Sequence, residues 1–112
     1  MQRGPSVLKV YETGEKMIVG FSRQAAGQPA DIPRWHSELV KLIDQHRCVA
    51  LTFDLTDVRR MPHAVLDILF SLRKRGVQVL VFNPTKSMRD LLKVTRLNGV
   101  VREVDQLYAE SA

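Results

Sequence analysis

CVALTFDLTDVRRMPHAVLDILFSLRKR, residues 48–75, reads as a strand, a turn and a helix in succession. Val49 to Phe53 is an apolar run of strand length, bulky enough to be buried on both faces. Asp54, Thr56 and Asp57 mark a turn, and Pro62 suits a first helical position, where its missing N–H would have no intrahelical acceptor. Val65, Ile68, Leu69 and Leu72 then recur at helical spacing, and Gly76 supplies a stop. The loop between the two elements is presented at the carboxyl end of the strand, the usual functional end of an open α/β sheet.

Working outward, Val77, Val79 and Val81 alternate with Gln78, Leu80 and Phe82 as a second buried strand. Strand, helix, strand implies a right-handed parallel crossover. Asn83–Pro84 ends that strand and opens a third helix, with Met88, Leu91, Leu92 and Thr95 expected to face inward and Asn98–Gly99 to stop it. Val100 to Val104 is a short edge strand or packed coil. Upstream, Asp31 and Pro33 open a first helix whose apolar stripe is Trp35, Leu39, Leu42 and Ile43. Before it, runs at Val7–Tyr11 and Lys16–Phe21 flank Gly14 and predict a hairpin. The fold class is α/β: a small mixed sheet, an N-terminal hairpin plus parallel strands, with helices packed on it. Residues 1–112 form one domain, with 1–6 and 105–112 expected to be loosely ordered ends.

At 112 residues such a domain buries roughly two-thirds of its unfolded surface, enough for a core without staples. Hydrophobic residues at 45% and charged residues at 26% exclude an intrinsically disordered composition. The single cysteine, Cys48, excludes an internal disulfide and fits a reducing compartment, so a cytoplasmic location is expected. No apolar run approaches the ~20 residues that span a bilayer, and the first residues lack the hydrophobic segment of a signal peptide.

The net charge of +5 raises the question of acidic partners. Lys86, Arg89, Lys93 and Arg96 recur on one face of the third helix. Solvated helix faces account for such groups in the ordinary way. The competing reading is a stripe that binds acidic protein, anionic lipid or nucleic acid, and the lack of interleaved aromatics weighs against nucleic acid.

No enzymatic constellation is present. His36, His46 and His63 show no metal spacing with each other or with Cys48. There is no nucleophile elbow, phosphate-binding glycine loop or helical His–Glu zinc pair. Asp54 and Asp57 are read as turn-forming carboxylates rather than cation ligands. No cofactor and no enzymatic activity are expected. The best site is the loop and helix start at Met61, Pro62, His63 and Ala64, where a helix N-terminus offers free amides and the positive end of its dipole. Asp57 folding back, water or a partner carboxylate can satisfy those amides, and His63 either bonds a partner or simply faces solvent. Leu66 and Phe70, at i and i+4, lie off the buried stripe and are expected to be partly exposed as a docking patch with Asp67 at its rim, unless the helix is covered nearly all round.

The same stretch resembles the STAS domain, the fold of bacterial anti-sigma factor antagonists. Family members follow the strand with D-L-x-x-V-x-x-[IM]-D-S-S-G-L, and Asp54, Leu55, Val58 and Met61 fall on the matching positions. GVQVLVFNPTKSMRDLLKVTRLNGVV, residues 76–101, is similar to the family's strand, Asn-Pro and helix ending in Thr-x-Leu. The likeness covers roughly Arg34 to Val104, with Gly27 and Asp31 as distant counterparts upstream. It implies a protein-interaction module of bacterial signalling whose partner is an anti-sigma-type kinase. An alternative is an accessory subunit that grips the ATPase of an ABC-type lipid transporter by the same surface. The departure is as informative: Pro62, His63, Ala64 and Val65 stand where the family has D-S-S-G. The phosphorylated serine falls on Ala64, which has no hydroxyl, so phosphorylation cannot control binding there. The free edge of the hairpin is a candidate for pairing two copies.

Overall fold

A computed structural model describes residues 8–21, 32–56, 58, 63–95 and 101–106. The elements in chain order are β1 (Leu8–Glu12), β2 (Lys16–Phe21), α1 (Ile32–His46), β3 (Ala50–Asp54), α2 (His63–Lys74), β4 (Gln78–Phe82), α3 (Lys86–Val94) and β5 (Val101–Val104). The strands form one sheet in the order β1-β2-β3-β4-β5. β1 pairs antiparallel with β2, and every later pair is parallel. The α/β expectation, hairpin plus parallel strands, is met.

The strand order always advances the same way, so crossovers of the usual right hand place the three described helices on one face. Period-2 alternation decides which side chains meet them. Met17, Val19 and Phe21 of β2, Leu51 and Phe53 of β3, and Val79 and Val81 of β4 share one buried cluster with Trp35, Leu39, Val65, Leu69, Leu72, Met88 and Leu92 of the helices. Trp35 is central to it: its ring meets Phe21 edge-on at 5.0 Å, and Phe21 stacks on Phe53 at 5.8 Å. On the opposite face Ile18, Thr52, Leu80 and Arg102 form one cross-strand row along a groove of about 550 Å³.

Several expectations need correction. The third strand begins at Ala50, one residue late, and Val49 is 55% exposed, its amide bound to the Glu15 carbonyl just before β2. Thr95 does not face inward: it is the C-cap of α3, its hydroxyl donating to the Leu91 carbonyl at 2.7 Å. Arg89 is not a free member of a basic stripe. Its guanidinium holds the Glu103 carboxylate of β5 through Nη2 at 2.7 Å and Nε at 3.0 Å. Those hydrogen bonds, with the charges of Arg89 and Lys93, draw the Glu103 carboxyl below its usual range. Val7, Asp31, Arg96 and Asn98–Gly99 lie outside the described residues.

Two helices end alike and differ in one residue. The Val77 amide reaches back to the Leu72 carbonyl past Gly76, at φ 91°, and the Cys48 amide reaches back to Ile43 past Arg47, at φ 52°. Both are left-handed C-terminal caps, which glycine occupies without strain and arginine does not. Arg47→Gly should therefore stabilise the domain by about 0.5–1 kcal/mol, read as a higher urea midpoint. A lower midpoint would mean that the arginine side chain contributes more than the strain costs.

Candidate functional site

The carboxyl ends of β3 and β4 carry two loops that bond to one another. Asp54, the last residue of β3, accepts at Oδ1 from the Thr56 amide (3.0 Å) and from the Thr56 hydroxyl, closing a turn. Asn83 follows β4 in the left-handed region, φ 58°, and its Nδ2 donates to Thr56 Oγ1 at 3.3 Å. The Leu55 amide donates to the Phe82 carbonyl at 2.9 Å and the Val58 amide to Leu55 at 3.0 Å. Leu55 and Val58 are buried, at 2% and 7% exposure, so the loop is pinned from below by apolar anchors and from the side by polar ones. Asp54, Leu55 and Val58, three of the residues that carry the family likeness, thus have structural duties: one makes the turn and two hold it down. The turn-forming reading of Asp54 is the one the geometry supports.

Beyond Val58 the chain enters α2. Asp57, Met61 and Pro62 lie outside the described residues, and for His63 and Ala64 only the helical backbone is described. Val65, Ile68, Leu69 and Leu72 are buried, as their spacing predicts. Leu66 departs from expectation: it is 5% exposed and part of the core, whereas Phe70, one turn on, is 44% exposed. The reason is the position of α2, which packs against β4 and also beside α1, so more than its inner face is covered. The candidate patch therefore loses Leu66 and keeps a stripe of Asp67, Phe70 and Lys74 at i, i+3 and i+7. Lys74 holds its ammonium 5.3 Å from the Phe70 ring centroid, a cation–π contact. Arg75, just beyond, is tied to Asp44 of α1 at 2.8 Å.

No cluster of three or more His, Cys, Asp or Glu that could hold a metal occurs among the described residues. Cys48 is buried, its thiol donating to the Ala50 carbonyl at 3.2 Å, and burial pushes its pKa up, away from a reactive thiolate. No described helix is long and apolar enough to cross a membrane. Sequence reasoning missed Asn83 as a partner of the loop. The signal was present in an Asn placed between a strand and a proline, where a left-handed residue with a donor is useful.

One buried strand–loop–helix unit, a second beside it and every crossover on the same face define a two-layer α/β domain of the anti-sigma factor antagonist fold. The chain belongs to the STAS domain family, whose model matches residues 30–111. Among solved structures, the anti-sigma factor antagonist SpoIIAA in its unphosphorylated form is similar to it at a TM-score of 0.71 and 11% identity, over 88% of this chain and 89% of that one. The phosphorylated form of SpoIIAA, described as a Bacillus cell fate determinant, is similar at a TM-score of 0.61 and 12% identity, over 88% and 92%. No curated protein matches the sequence significantly.

Proposed function

We propose that this domain is a non-enzymatic, cytoplasmic protein-interaction module of bacterial signalling. It docks a protein partner on the β3–α2 loop and the outer stripe of α2. Phe70 carries the reading: an aromatic ring 44% exposed in mid-helix, on an element whose neighbours at 65, 66, 68, 69 and 72 are all buried. An exposed aromatic flanked by charge is the composition of a binding hot spot. Family membership and the similar solved structure named as an anti-sigma factor antagonist favour a partner of the anti-sigma-kinase type. With Ala64 at the acceptor position, partner exchange would run without phosphorylation there. The basic-stripe alternative is weakened by the pairing of Arg89 with Glu103, which removes a cation from the middle of the stripe.

A tagged pull-down from the source lysate tests this, with Phe70→Asp as the comparison. Capture of one anti-sigma-type kinase by the native protein, reduced at least about tenfold by the variant, is the expected result. An ABC-type ATPase captured with the same dependence would assign the domain to lipid transport through the same surface. Capture that is indifferent to Phe70→Asp would move the interface off α2.

A further inference from the structure

We infer that Asn83 and Thr56 are a positioning pair that locks the start of the β3–α2 loop, Asp54 to Thr56, to the corner between β4 and α3, so that this part of the docking rim is formed before any partner arrives. The inference takes its purpose from the function proposed above, but its geometry stands apart from it. Thr56 is exposed, so burial does not hold it; what holds it is a chain of polar contacts, Asn83 Nδ2 to Thr56 Oγ1 to Asp54 Oδ1. The hydroxyl is spent in both directions, accepting from Asn83 and donating to Asp54. The neighbouring Leu55 amide is held by the Phe82 carbonyl, one residue before Asn83. Two adjacent links therefore run between the same pair of loops, one main-chain and one side-chain.

Asn83 is suited to its place for two reasons at once. Its φ of 58° is the left-handed region that asparagine tolerates better than most residues. Its amide also supplies the donor that a glycine there would lack. Ordering a loop in advance lowers the entropy lost when a partner binds, so a rim held this way gains affinity from residues that need not touch the partner.

Hydrogen exchange on the full chain, followed amide by amide, tests the pair without a partner. Thr56→Val removes the hydroxyl at nearly constant shape, and Asn83→Gly removes the donor while keeping the left-handed backbone. Each should speed exchange of the Leu55 and Thr56 amides by about tenfold, the loss expected for one intramolecular hydrogen bond. The Leu51 and Val79 amides in the sheet centre should be unchanged, and Thr56→Ser should retain native protection. Native exchange rates in both Thr56→Val and Asn83→Gly would overturn the inference. So would equal acceleration at Leu51 and Val79, which would make the pair part of global stability rather than a local lock. Neither outcome depends on whether Phe70 is the docking residue.

Discussion

Leu66→Asp should abolish cooperative folding, while Phe70→Asp, one turn along the same helix, should melt within about 1 kcal/mol of the native protein. Leu66 is 5% exposed and belongs to the core cluster. Truncating such a leucine to alanine already costs about 2–5 kcal/mol. An aspartate adds the burial of an unpaired charge, and the sum approaches the whole stability of an ordinary domain, about 5–15 kcal/mol. At Phe70 the ring is partly in water, and its loss forfeits a surface cation–π contact of about 0.5–1 kcal/mol. A new aspartate four residues before Lys74 offsets part of that loss by pairing across one turn. Circular-dichroism melts of the two variants check the contrast. A cooperative, near-native melt for Leu66→Asp would mean that α2 presents a different face from the one described. The same contrast makes Phe70 alone, and not the Leu66/Phe70 pair, the proper probe of binding: a variant that fails to fold also fails to bind.

The second large effect belongs to the aromatic cluster. Phe53→Ala should cost about 3–5 kcal/mol, the range for an aromatic truncated in a packed core. Phe53 is 1% exposed in the middle strand, between β2 and β4, and its ring stacks on Phe21, which in turn meets Trp35. The hole would open between sheet and helices, where neighbours on fixed strands cannot close it. In urea, with a slope of about 1–3 kcal/mol per molar, the midpoint should fall by more than about 1 M. A midpoint within about 0.3 M of native would show that the cluster relaxes to fill the space. Trp35 presents a contrasting case: its buried indole Nε1 meets no hydrogen-bond acceptor among the described residues.

The fold was legible wherever one side of an element decided its burial. Val79 and Val81 alternate with Gln78 and Leu80, and Trp35, Leu39 and Ile43 recur at helical spacing; both patterns came out on the core side. Gly76 announced its own left-handed cap, and Arg47, which adopts the same geometry, could not be recognised from residue type. Leu66 was misplaced because helical spacing describes one partner surface, and α2 packs beside α1 as well as on the sheet. Arg89 looked free on its helix because Glu103 lies on another element, and no local pattern announces that meeting. The site was legible as far as the motif: Asp54, Leu55 and Val58 were recognised, but as a likeness. The turn at Asp54 was readable from residue type, but the anchoring by Leu55 and Val58 emerged only from their burial, and the tie to Asn83 only when β4 stood beside β3.

The monotonic strand order bears also on how the chain acquires its structure. Each strand pairs with the strand just before it in sequence, first across a tight hairpin and then across one helix at a time. No pairing waits for a distant segment, so each closure is short, and the entropy of closing a loop grows only with the logarithm of its length. A chain emerging from its N-terminus could therefore add β3, then β4, then β5 to an edge already in place, burying one helix with each addition. Kinetic intermediates, where they accumulate, should be truncated versions of the native sheet with the β5 side missing.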